Sequence, residues 1–264
     1  MLSTEIYRLP PKSLYHHTNF KAMCGILSCG IGADQEIGFR AVSNAWKNDD
    51  QEIALGEQLL NACKIIPNKL IPYTLFSKFN GYRNCGSVSF MEGPANQHMI
   101  DEYGPIRLCF DLRDVDLSEA IWDMCSCEYV SASLMPQYSK EFAKEIVELL
   151  HNLEEKHKMF GDGADELLPN LCTFFQCEID ILRKVFLIKE QKWECEQEWR
   201  IIREIVDNAP DTFYREDWAP YKMVYIPAIT LKSISVYGDM FEDVKNFVYQ
   251  YDCYKHVQIE RAYL

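Results

Sequence analysis

The chain has 264 residues, enough for one large domain or for one domain with a helical insertion. Hydrophobic residues make up 48% and charged residues 25%, the balance of a globular fold, and no apolar run approaches the ~20 residues that cross a bilayer. The formal charge of −13, with lysines and arginines spread singly, argues against non-specific DNA binding, which needs a basic stripe, and leaves room only for a nucleic acid in a small local pocket.

The start, Met1-Leu2-Ser3-Thr4-Glu5, lacks the basic and apolar regions of a secretory signal, so a cytoplasmic protein is expected. The odd count of 11 cysteines agrees. The closest pairs, Cys125 with Cys127, Cys24 with Cys29 and Cys172 with Cys177, have no partner pair at zinc-knuckle spacing. Reduced, mostly buried thiols and no metal site are expected.

In chain order, Leu14 to Thr18 reads as a short strand. Thr18 or Asn19 is placed to cap the helix that follows, whose Met23, Ile26 and Leu27 fall at helical spacing. Gly30 suits the left-handed C-cap. A loop with Asn48, Asp49, Asp50, Gln51 and Glu52 comes next, and helix resumes from Glu52 to Lys64. Ile71 to Ser77, Ser87 to Phe90, Ile106 to Asp111 and Cys127 to Val130 are strand candidates. Lys140 to Lys158 reads as a helix capped by Ser139, with Phe142, Ile146, Leu149, Leu150 and Leu153 on one stripe. Pro169 opens a second helix, because a proline lacks only an N–H that the first turn would leave unpaired. The two helices form an expected hairpin inserted at 138–185 within a single domain spanning 1–264. Strands return at Glu198 to Ile205, Met223 to Ile226, Ile234 to Tyr237 and Val257 to Tyr263, with a helix from Phe241 to Tyr251. The fold class is therefore α+β.

The chemistry concentrates at Trp193-Glu194-Cys195-Glu196-Gln197-Glu198-Trp199-Arg200. On a strand, alternate side chains share a face, so Glu196, Glu198 and Arg200 would point together and Trp199 the other way. Two such carboxylates repel, which raises the pKa of one or draws in Arg200, an arrangement suited to acid/base work. The alternative is a solvated strand face with a charge ladder. His16 and His17 lie on opposite faces of one strand, so at most one of them faces a given cleft. Either is equally readable as a packed histidine. Asn48, Asp49 and Glu52 form a polar cluster that also reads as a turn before a helix. Ser77 ends a strand at a place where it can line a pocket, but no nucleophile-elbow glycines surround it. His98 reads as structural or as rim. There is no P-loop, dinucleotide fingerprint or His-Glu-x-x-His.

The order of these signals resembles the bacterial family named domain of unknown function 2971. The corresponding residues are His16 and Thr18, Asn48 to Glu52, Phe76-Ser77, His98-Met99 with Tyr103-Gly104, Phe110-Asp111, and Trp193 with Glu196, Glu198, Trp199 and Arg200. Asp50 stands where that family has proline, and no tryptophan follows Met99. A remoter resemblance is to ADP-ribosyltransferases of the diphtheria-toxin and poly-ADP-ribose-polymerase type. It rests on His16-His17-Thr18 with Ile26 and Gly30-Ile31, and on the Glu196-x-Glu198 strand, the latter in the two-glutamate form of the arginine-modifying branch.

That resemblance implies split mixed or antiparallel sheets and NAD as substrate. His16, with His17 and Thr18 beside it, would hold the nicotinamide ribose, and Tyr103 or Tyr129 would stack on the nicotinamide. Glu198 would offset the charge of an oxocarbenium-like transition state, and Glu196 would orient or deprotonate the acceptor. Arg200 or Ser77 would contact the diphosphate or support the carboxylates. The acceptor is open between protein, nucleic acid, small molecule and water. A toxin or antiphage-defence role, with an inhibitory partner protein, would be in keeping with the family. Two alternatives stand beside this reading: a non-catalytic binding module, and a metal-dependent hydrolase or nuclease using Glu196 and Glu198.

Overall fold

The computed structural model describes residues 10–28, 35–43, 85–115, 122–145 and 185–264 apart from 206–207, together with 148 and isolated helical positions within 55–62. The elements expected at 71–77 and from Pro169, the C-cap at Gly30 and most of the hairpin at 138–185 lie outside these residues. Contacts divide the chain into two compact units, one of Met1–Tyr7, Asn44–Cys85 and Cys127–Glu194, the other of Arg8–Ser43, Gly86–Ser126 and Cys195–Leu264.

The second unit is built on a large, mostly antiparallel sheet, giving an α+β architecture. Its strands are β1 (Leu14–Thr18), β2 (Glu36–Ser43), β3 (Cys85–Met91), β4 (Ile106–Phe110), β5 (Trp122–Ser126), β8 (Glu198–Glu204), β9 (Phe213–Tyr214), β10 (Pro220–Pro227), β11 (Leu231–Tyr237) and β12 (Gln258–Ala262). The spatial order runs β12-β11-β4-β1-β3-β2-β10-β9. Pairing branches at β3, which also meets β8, and β8 in turn pairs with β5. β11 and β12 run parallel.

Alternation along β1 sorts its residues between faces. Leu14, His16 and Thr18 lie opposite Phe110, Leu108 and Ile106 of β4, and Tyr15 and His17 lie opposite Cys109 and Arg107. The first set faces a core in which Phe39, Phe90 and Phe110 meet edge to face, with centroids 5.4 to 5.7 Å apart. Each such contact contributes about 0.5–1.5 kcal/mol beyond burial. Helix α1 (Phe20–Ser28) buries Met23 and Leu27, and a later helix, α3 (Phe241–Val248), buries Val244 and Val248. Asn19, not Thr18, caps α1: its Oδ1 accepts the Ala22 N–H at 2.9 Å. At the other end the Tyr254 hydroxyl donates to the Leu27 carbonyl at 2.7 Å, satisfying a group the helix leaves open.

Three elements depart from the sequence expectation. Residues 36–43, read as loop, form β2, which buries Ile37, Phe39 and Ala41 on alternate positions, with Gly38 buried between the first two. Residues 97–103 form a short helix, α2 (Gln97–Tyr103), capped by Asn96, whose Oδ1 accepts from the Met99 N–H at 3.0 Å. Residues 122–126 form β5, antiparallel to β8.

In the first unit, β6 (Glu128–Val130) and β7 (Ile188–Glu190) pair in parallel. Residues 135–145 are helical, so the helix starts before Ser139 and that serine lies within it instead of capping it.

Candidate functional site

The chain approaches β8 through a 3-10 helix, Gln191–Glu196. Gln197 then adopts a left-handed backbone, φ +43, before the strand begins at Glu198. This corrects the expectation that Glu196, Glu198 and Arg200 share a strand face. Period-two geometry holds for Glu198 and Arg200 only, and Glu196 is aimed separately by the turn. A non-glycine residue in this region costs about 1 kcal/mol or more, so the surroundings must hold it. Gln197 is anchored by its carbonyl, which accepts the Glu92 N–H at 3.1 Å.

The solvated-face alternative is also overturned. Glu196 is 0% exposed, Glu198 3% and Arg200 5%. Burying a charge is costly unless it is paired, and each carboxylate has its own partner. Arg200 donates from Nε to Glu198 Oε1 at 2.8 Å and from its second terminal nitrogen to Oε2 at 3.0 Å. This fork-to-fork geometry is the strongest form of ion pair. The Tyr103 hydroxyl donates to Glu196 Oε1 at 2.9 Å. His98 Nε2 stands 3.8 Å from the same oxygen, and the His98 side chain is 40% exposed. Between Glu198 and Arg200, Trp199 turns into the core and its Nε1 donates to Glu92 at 3.2 Å.

The histidines of β1 separate as alternation requires. His16 is on the core face, its ring against Phe39 and Phe90 with centroids at 5.0 and 5.9 Å. Its Nδ1 lies 3.0 Å from the Ser89 carbonyl. Burial lowers its pKa, so the ring is neutral at neutral pH; Nδ1 then carries the proton and Nε2 is left as an acceptor. His17 occupies the other face, opposite Arg107, and is 5% exposed. Burial first, and the Arg107 charge second, push its pKa down to about 4. Arg107 lies over the Tyr15 ring at 3.4 Å and donates to the Gly93 carbonyl at 2.5 Å. Thr18 is buried, with its hydroxyl 3.5 Å from the Asn19 carbonyl.

The site thus brings together Glu196, Glu198 and Arg200 at the start of β8, with Tyr103 and His98 of α2 against Glu196. Tyr129 lies on β6, in the first unit. Ser77, Asn48, Asp49 and Glu52 lie outside the described residues. His98 and Glu92 were not read as site residues. The signal for His98 was the Asn96 cap, which starts a helix that puts His98 and Tyr103 on one short segment. Among the described residues, no group of three or more His, Cys, Asp or Glu is placed to hold a metal ion. Also among them, Cys24, Cys109, Cys195 and Cys253 are free thiols, and no helix is long and apolar enough to cross a membrane.

Comparison with protein-family models, with curated proteins and with solved structures finds no match.

Proposed function

We propose that this protein cleaves the nicotinamide–ribose bond of NAD, as an ADP-ribosyltransferase or an NAD glycohydrolase. The observation that carries the reading is the pair of buried carboxylates at the mouth of β8, each held by a different partner. Preorganised charge of this kind is suited to a cationic transition state, because its orientation costs nothing at the moment of reaction. The branching of the sheet at β3 is compatible with the split sheets of an ADP-ribosyltransferase-like fold.

In this reading the ribose C1′–N bond breaks through an oxocarbenium-like state, and the bonding pair leaves with nicotinamide. Glu198, kept ionised by Arg200, accepts the ribose 2′-hydroxyl and offsets the positive charge. His16 Nε2 accepts a second ribose hydroxyl, and Tyr103, half-exposed, offers its ring to the nicotinamide. Glu196 faces the acceptor.

The test is NAD labelled in both halves, incubated with the wild type and with Glu198→Gln, with and without cell lysate as acceptor. Glutamine is chosen because it keeps the side-chain shape and one acceptor oxygen for Arg200, where alanine would also leave a cavity; either change removes the charge that Arg200 faces. Wild-type nicotinamide release, reduced about 100- to 1,000-fold in the variant, is expected. No cleavage by the wild type under either condition would sink the reading. The mutual closure of Glu198 and Arg200 favours one second reading, a non-catalytic binding module in which the pair is structural. Under it, Glu198→Gln binds NAD as the wild type does and neither protein turns it over.

A further inference from the structure

The two carboxylates have partners of different chemistry. Both oxygens of Glu198 accept from Arg200, whose guanidinium does not give up a proton in proteins. Glu198 is therefore fixed as a charge. Glu196 instead accepts from the Tyr103 hydroxyl at 2.9 Å on Oε1, and His98 Nε2 stands 3.8 Å from the same oxygen, beyond hydrogen-bond length but near enough for a small rotation of the imidazole to close the gap. The glutamate is fully buried, while the His98 side chain is 40% exposed, with its Nε2 buried on the inner side. The imidazole thus spans from the carboxylate to water. The helix that carries it is fixed at both ends, by the Asn96 cap and by Gly104 lying against the end of β1.

We propose that Glu196 and His98 form a proton relay to solvent that serves an acceptor losing a proton as it attacks, with a hydroxyl group or water as the acceptor put to test. The inference rests on the NAD-cleaving reading. In the step, the acceptor oxygen bonds to ribose C1′ as the C1′–N bond breaks, and nicotinamide leaves with the bonding pair. The acceptor proton passes to Glu196 Oε1 and then to His98 Nε2, and the imidazole releases a proton from its other nitrogen to water. The balance is NAD and a hydroxyl compound in, nicotinamide, the ADP-ribosyl O-glycoside (or ADP-ribose when water is the acceptor), and one proton out. His98 is a positioning and relay residue that acts through Glu196, with Tyr103 holding the carboxylate in line.

Sodium azide separates the two carboxylate roles, because azide is a nucleophile that needs no deprotonation. Nicotinamide release is measured for the wild type, Glu196→Gln, His98→Gln and Glu198→Gln with and without azide. Release without azide should fall about 100-fold in Glu196→Gln and at least about 10-fold in His98→Gln. Azide should restore both, with ADP-ribosyl azide as product, and should not restore Glu198→Gln. Rescue itself reports an intact site, which a merely structural loss would not give. The relay is overturned if His98→Gln releases nicotinamide like the wild type, if azide fails to restore it, or if azide restores Glu198→Gln equally. A wild type that cleaves no NAD overturns the parent reading instead.

Discussion

At the scale of single residues, His17 ties burial to pH. Its ring is 5% exposed beside Arg107, and its pKa falls to about 4 from an ordinary value near 6.5. Between these values the unfolded chain binds a proton that the folded chain does not, so stability rises with pH across the window. The contribution is complete above about pH 6.5 and lost as pH falls towards about 4. Its size is about 2–3 kcal/mol after allowance for solvent screening. His16, lowered by burial too, adds in the same direction. His17→Phe keeps a flat ring and removes the titration. Denaturant midpoints at about pH 5 and about pH 7 should differ clearly less in the variant than in the wild type. Equal losses in both would show that His17 does not carry the effect. The opposite faces of His16 and His17 were legible from strand alternation alone. Which of the two packs against phenylalanines was not, because that depends on Phe39 and Phe90 arriving from β2 and β3.

At the scale of elements, α2 and the turn after it decide where Tyr103 and His98 stand. Gly104 has φ +118, and a Cβ there would lie 2.6 Å from the Thr18 carbonyl carbon and oxygen and 2.7 Å from the Asn19 nitrogen. These are backbone atoms of the β1 end, so no side chain can swing aside. Gly104→Ala should cost about 2–4 kcal/mol, from the left-handed backbone and the overpacking together. It should also weaken the grip of Tyr103 on Glu196. Equilibrium denaturation measures the first, and a change within about 0.5 kcal/mol would refute the close approach. Elements with a strong local pattern were readable in the sequence: β1, α1, β8 and the strand–helix–strand run at the C-terminus. β2 was missed because Gly38 and Arg40 dilute an alternation that Ile37, Phe39 and Ala41 nonetheless carry. α2 is too short for a periodic stripe, and its cap was its one clear mark. The start of β8 at Glu198 is readable, but Glu196 stands on the preceding 3-10 turn and not on the strand face, because nothing local in Cys195-Glu196-Gln197 announces a left-handed residue.

At the scale of the whole molecule, long-range organisation was the least legible feature. Each compact unit gathers segments far apart in the chain, and no composition shift marks the crossings at residues 43–44, 85–86, 126–127 and 194–195. Net charge, by contrast, is fully legible and has a physical consequence. A formal charge of −13 makes the folded surface repel itself. Exposed pairs such as Arg215 with Asp217 and Lys255 with Asp252 attract only weakly and are screened by salt. The buried Glu198–Arg200 pair is sheltered from screening. Raising salt from about 10 mM to about 150 mM shortens the screening length from about 30 Å to about 8 Å. Long-range repulsion is lost first, and contacts under 4 Å are retained in larger part. Tm should therefore rise by a few degrees over that range and level off. A fall in Tm would mean that attraction among surface pairs outweighs the net charge, and that the acidic residues are arranged around cations rather than against one another.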